Sequence, residues 1–143
     1  MNTALSTLTG KAVTDPKSVI DRGWSCSRTN TTGCRIKTDK VHSICQGVVL
    51  SVLQDPKDSA WCVTVEVNSS IWVRYCRLSS VVVKEGQNIT SGTLIGDAYK
   101  KLMRLEYCTS TESRFPVRVR NKQLYKHDPT PIIFSIKNLS EVI

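Results

Sequence analysis

The sequence predicts a mainly β fold, a compact antiparallel sandwich in one domain. Three observations predict it. Residues 61–67 alternate apolar and polar side chains with period two, as a half-buried strand does. Apolar runs at 47–53 and 71–76 flank that segment across turn-forming stretches, so the three read as successive hairpin strands. Between residues 81 and 96, short apolar pieces are separated by glycine-containing turns. A chain of 143 residues, 40% of them apolar, can bury a core without metal or extra cross-links.

Taken in order, residues 1–22 mix polar and apolar side chains, with a short turn or helix expected over 16–22. They read as an N-terminal extension, free to act as a docking arm that orders only in a complex. Residues 23–40 are rich in Ser, Thr, Asn and Gly and read as a long loop or irregular strands. Gln54-Asp55-Pro56-Lys57-Asp58-Ser59 is turn chemistry between the first two strong strands, and Asn68-Ser69-Ser70 closes the next hairpin. Residues 103–108 form another strand, and 115–120 alternate again. Asp128-Pro129-Thr130-Pro131 is rigid and extended. The apolar stretch 132–136 that follows is either the last strand of the domain's own sheet or an exposed edge for a neighbouring subunit.

Composition narrows the partners. A formal net charge of +8 favours anionic ones. With only 6% aromatic residues, a nucleic-acid platform built on base stacking is not expected. The six cysteines contain no C-x-x-C pair, which argues against a zinc ribbon or a thioredoxin-like site. They are expected as isolated buried thiols. No run approaches the ~20 apolar residues of a membrane span. The start of the chain lacks the pattern of a secretory signal.

A constellation of motifs identifies the fold more closely. Gly47-Val48-Val49 is followed by the strand at 63–67, by Tyr75-Cys76-Arg77-Leu78, and by Val83-Lys84-Glu85-Gly86-Gln87-Asn88-Ile89-Thr90-Ser91-Gly92-Thr93-Leu94-Ile95-Gly96. Leu105, Tyr107 and Asp128-Pro129 follow further on. Over residues 23–135 this resembles the LytM-type (lysostaphin-like) zinc endopeptidase domain, which reads G-V-V, Y-x-H-L, V-x-x-G-Q-x-V-x-x-G-x-x-I-G, H-L-H-F-E and D-P. The resemblance implies a LytM-type domain over 23–143. Barrel-sandwich carrier domains share the glycine pattern, but the short lysine signature of those carriers does not appear in the expected place.

The resemblance also implies where a zinc site would lie. The family draws its ligands from H-x-x-x-D and from the second His of H-x-H. Here the first motif falls on Thr31 and Arg35, the second on Arg104 and Glu106, and the His of Y-x-H-L on Arg77. Arginine stays protonated and cannot ligate. One carboxylate does not hold zinc. No metal or other cofactor is therefore expected. His42 and His127 lie outside these motifs.

Thr31, Arg35, Arg77, Arg104 and Glu106 are expected to border one groove. In it the arginines either form a salt-bridge network with Glu106 or hold an anion with guanidinium forks. Cys34 and Cys76 are expected to face away from the groove, toward the core. On this reading the chain is not an enzyme. It is a structural or assembly protein working with other protein subunits, in the manner of degenerate family members of phage tails and baseplates, and located in the virion. The alternative is a module that binds peptidoglycan or another anionic glycan through the former substrate groove.

Overall fold

The computed structural model describes residues 3–24 and 33–133. Among the described residues, alongside single 3-10 turns at Pro16–Ser18 and Tyr99–Lys101, there are eleven strands and two short α-helices. In chain order these are α1 (Thr3–Thr9), β1 (Ile20–Arg22), β2 (Cys34–Lys37), β3 (Lys40–His42), β4 (Gly47–Gln54), β5 (Trp61–Asn68), β6 (Ile71–Val81), β7 (Asn88–Ile89), β8 (Leu94–Ala98), β9 (Leu102–Thr109), β10 (Pro116–Val119), β11 (Lys122–His127) and α2 (Thr130–Ile133). All the strand pairs are antiparallel.

The sheet runs β1-β2-β9-β6-β5-β4-β7. Its centre is the β4–β5–β6 meander, whose turns are the two predicted from sequence. In the first, Asp55 accepts from the Lys57 N–H and Asp58 from the Ala60 N–H, and these short Asx-type bonds fix the loop. The hairpin of β10 and β11 joins the far end of β9 through β11.

Strand β6 changes partners halfway. Its first part, 71–76, pairs with β9, and its last part, 78–81, pairs with β8. The switch falls at Arg77, and the turn at Tyr99–Lys101 that joins β8 to β9 sits beside it.

Period-two alternation decides what each face carries. Val63, Val65, Val73, Tyr75, Leu78, Met103 and Leu105 point into the main core, with Ile36, Ile44 and Ile95. The opposite face carries Arg74, Cys76, Arg104 and Glu106. A second, small cluster of Trp72, Cys108, Val119 and Leu124 lies next to them.

Four expectations need correction. The N-terminal segment is not a loose arm. Ala4, Leu5 and Leu8 are buried, α1 packs beside β3, and β1 extends the sheet on β2. Their spacing of one and four residues is that of a helix face. The chain after Asp128-Pro129 is not a strand where it is described. The Asp128 carboxylate accepts from the Thr130 N–H, α2 begins there, and Ile132 and Ile133 are buried. Residues 134–136 of that apolar stretch lie outside the described residues. Third, Cys62 and Cys76 are not isolated thiols but a disulfide. They are direct cross-strand partners with Cα atoms 4.1 Å apart, within reach of a bridge. Cys34, Cys45 and Cys108 are free and buried, and Cys26 lies outside the described residues.

The fourth correction concerns Gly96. Gly86 and Gly92 serve turns at positive φ, as the motif suggests. Gly96 instead lies within β8 against β6, where a Cβ would stand 2.0 Å from the Ser80 carbonyl oxygen. It is there so that two backbones can approach.

Candidate functional site

The site grows from the register of three strands. Across β9 and β6, Glu106 faces Arg74 and Arg104 faces Cys76. Across β9 and β2, Arg104 faces Arg35. Across β5 and β6, Arg74 faces Thr64. The spacing of Arg104 and Glu106 at i and i+2 puts both on one face of β9, and there they meet.

Glu106 is fully buried, at 0% exposure. Such a carboxylate is tolerated only when paired and hydrogen-bonded. Arg74 Nη1 donates to Oε1 at 2.5 Å, and Arg104 Nε donates to Oε2 at 2.7 Å. Lys126 Nζ, carried in by β11, stands 3.5 Å from Oε2. Burial alone would raise the Glu106 pKa. The charges of Arg74, Arg104 and Lys126 outweigh it and hold the carboxyl below its usual range.

Three cations around one anion leave the cluster net positive. Lys126 registers this. Its ammonium is pushed down by burial and by Arg74 and Arg104, although Glu106 opposes the shift. The Nε of Arg74 also donates to Thr64 Oγ1 at 3.2 Å, so this guanidinium bridges two strands.

The sequence-predicted residues are brought together only in part. Arg104 and Glu106 form the pair at the centre. Arg35 is Arg104's cross-strand neighbour, but its nearest acid is Asp21, at 3.9 Å. Arg77 lines the same cleft as Arg74 and Arg104 but does not ion-pair with Glu106. Thr31 lies outside the described residues. Sequence reasoning missed Arg74 and Lys126. Arg74 had a readable signal, two residues before Cys76 and so on its face. Lys126 reaches Glu106 only through the register of β11 on β9.

Cys34 faces the core as expected. Cys76 does not. It opposes Arg104 and lines the cleft, bridged to Cys62. The cleft measures about 500 Å³ and lies between the β4–β5 turn and these arginines. His42 approaches the Leu8 carbonyl at 3.4 Å, and His127 bonds Thr109 and Thr111 at 2.9 and 3.0 Å. Neither ring bonds to Glu106.

These residues do not fit a zinc ion. Both oxygens of Glu106 are engaged by cations, and its strand neighbours offer guanidinium groups, not lone pairs. Among the described residues, no three His, Cys, Asp or Glu side chains are grouped to hold a metal.

Comparison with solved structures places the fold. The chain is similar to a zinc-containing peptidase from Vibrio cholerae, at 23% identity and a TM-score of 0.58, over 76% of this chain and 35% of that one. It is similar to the antimicrobial peptidase lysostaphin from Staphylococcus simulans, at 16% identity and a TM-score of 0.64, over 80% and 48%. It also resembles the catalytic domain of a prophage-encoded M23 protein from Enterococcus faecalis, at 17% identity and a TM-score of 0.51, over 64% and 78%. The match spans only about a third to a half of the first two chains. No curated protein matches this sequence.

The expectation that the chain is not an enzyme is overturned by these matches. The fold is that of solved peptidases, and a peptidase family accounts for most of the sequence. Residues 29–125 match the sequence model of peptidase family M23, and the chain belongs to that family.

Proposed function

We propose that this M23 domain engages peptidoglycan or a similar anionic wall polymer through the cleft between the β4–β5 turn and β6. The carrying observation is the charge of that cleft. Arg74, Arg77, Arg104 and Lys57 line it, against Asp55 and Asp58. The formal net charge of +8 acts in the same direction, drawing the chain toward an anionic surface before any specific contact forms. Co-sedimentation with purified sacculi tests the reading. The chain is expected in the pellet at low salt and progressively in the supernatant as salt rises, because exposed charges are screened. A chain that stays in the supernatant at low salt refutes the reading. Soluble fragments released in the same tube measure cleavage directly.

Assembly into a phage tail or baseplate, with other protein subunits, is the second reading. Val82 and Leu94 are exposed at 60% and 38%, beside the contact of Val82 N–H with the Ile95 carbonyl. Such apolar side chains suit a subunit contact. One structural neighbour is described as prophage-encoded. Size measurement alone and with the products of neighbouring genes tests it. A monomer that binds none of them refutes it.

A further inference from the structure

Arg77 occupies its place because of a bulge. The ladder between β5 and β6 runs Cys62 opposite Cys76, then Trp61 opposite Leu78, so Arg77 is left without a cross-strand partner. Its φ is +63°, the left-handed region that glycine adopts without penalty and a long side chain adopts rarely. The extra residue resets the alternation. Tyr75 and Leu78 both reach the core, while Cys76 and Arg77 both line the cleft. Without the bulge, alternation would send Arg77 to the core face.

The side chain that the bulge delivers has an aromatic neighbour but, among the described residues, no anionic one. Its guanidinium lies 5.5 Å over the Tyr99 ring. Its Nε is buried with no hydrogen-bond partner, and Arg77 appears in no ion pair among the described residues. A buried N–H without an acceptor is costly and rare, which singles the group out as one that a ligand could satisfy. Arg104 gives only its Nε to Glu106. The two acids on the cleft rim, Asp55 and Asp58, accept from the N–H groups of their own turn. Glu106 beneath is already outnumbered by three cations.

We infer that this cleft is a carboxylate site, in which Arg77 and Arg104 hold the terminal carboxylate of a short peptide. A planar monoanion suits guanidinium forks. Asp55 and Asp58 on the rim disfavour a more highly charged phosphate. The inference rests on the proposed wall-polymer reading only for the source of the peptide.

The test uses the full chain and acetyl-trialanine, as the free acid and as the C-terminal amide, with inorganic phosphate and acetate as competitors. The free acid is expected to bind about tenfold or more tightly than the amide, as loss of a charge-assisted pair predicts. Arg77→Gly removes the guanidinium where the backbone already favours glycine. It is expected to melt no lower than the native chain and to bind acid and amide alike. Arg77→Lys, which keeps the charge but loses the fork, is expected to fall between the two. Equal binding of acid and amide by the native chain overturns the inference. So does an acid preference that survives Arg77→Gly, displacement by phosphate at lower concentration than by acetate, or no binding of either peptide. Sacculus binding without acid selectivity sinks this inference and leaves the wall-polymer reading standing. Acid selectivity without sacculus binding does the reverse.

Discussion

Replacing Glu106 with glutamine removes one negative charge and keeps the shape. Its effect follows from the three cations that share it. Arg74 and Lys126 are each 13% exposed and Arg104 is 27% exposed, so solvent can compensate only part of the loss. Breaking a buried pair by removing one partner costs about 3–5 kcal/mol, because the other charge stays buried and unpaired. For a domain of this size that lowers the melting temperature by on the order of 10 °C. Urea denaturation of native and Glu106→Gln protein at pH 7 gives the difference. The pH dependence supplies a second check. The folded-state pKa of Glu106 is lowered, so its contribution is fully present above the unfolded value of about 4.3 and is lost as pH falls through the folded value. The gap between native and variant should therefore close under acid and stay constant between pH 5 and 8. A variant within about 0.5 kcal/mol of native at pH 7 would refute the reasoning.

Other perturbations test separate parts of the structure. Reducing the Cys62–Cys76 disulfide, whose residues are 14 apart in sequence, is expected to lower stability by up to about 3 kcal/mol, read as a lower melting temperature under reductant. Alkylation after denaturation without reductant should spare Cys62 and Cys76, and their labelling would contradict the bridge. Burial pushes the Cys34 and Cys108 thiols up to about 12 and Cys45 to about 11. Native protein should therefore resist iodoacetamide at pH 8 at these three sites and react once unfolded; rapid native labelling would contradict their placement. Gly96→Val forces a side chain onto the Ser80 carbonyl and should cost about 3 kcal/mol or more, so a variant of native stability would show that β8 and β6 are not this close.

Much of the sheet was legible because strands announce themselves by alternation. Residues 61–67, 71–76 and 103–108 fall within β5, β6 and β9. The same rule put Arg104 and Glu106 on one face. What it could not show was register. Arg74 meets Glu106, and Cys62 meets Cys76, only because β5, β6 and β9 align as they do, and one residue of slip would separate both pairs. Arg77 was placed in the groove by motif alone. The bulge that puts it there has no signature in the sequence, since an arginine stands where glycine would normally mark one. The apolar run at 132–136 was ambiguous because a short run has no period of its own. Asp128 decides it by capping a helical turn through the Thr130 N–H. The N-terminal helix was missed for a different reason. Seven residues are too few for a strong pattern, and its stability comes from burying Ala4, Leu5 and Leu8 against the core, not from propensity.

The sheet face where the family resemblance locates a metal holds a carboxylate clamped by Arg74, Arg104 and Lys126. The carbon-13 shift of the Glu106 side-chain carboxyl, followed at pH 7 as zinc is added to one equivalent, tests this most directly. The clamp predicts a resonance of ionised carboxylate that does not move with zinc. A shift that tracks zinc and saturates at one ion per chain would contradict it.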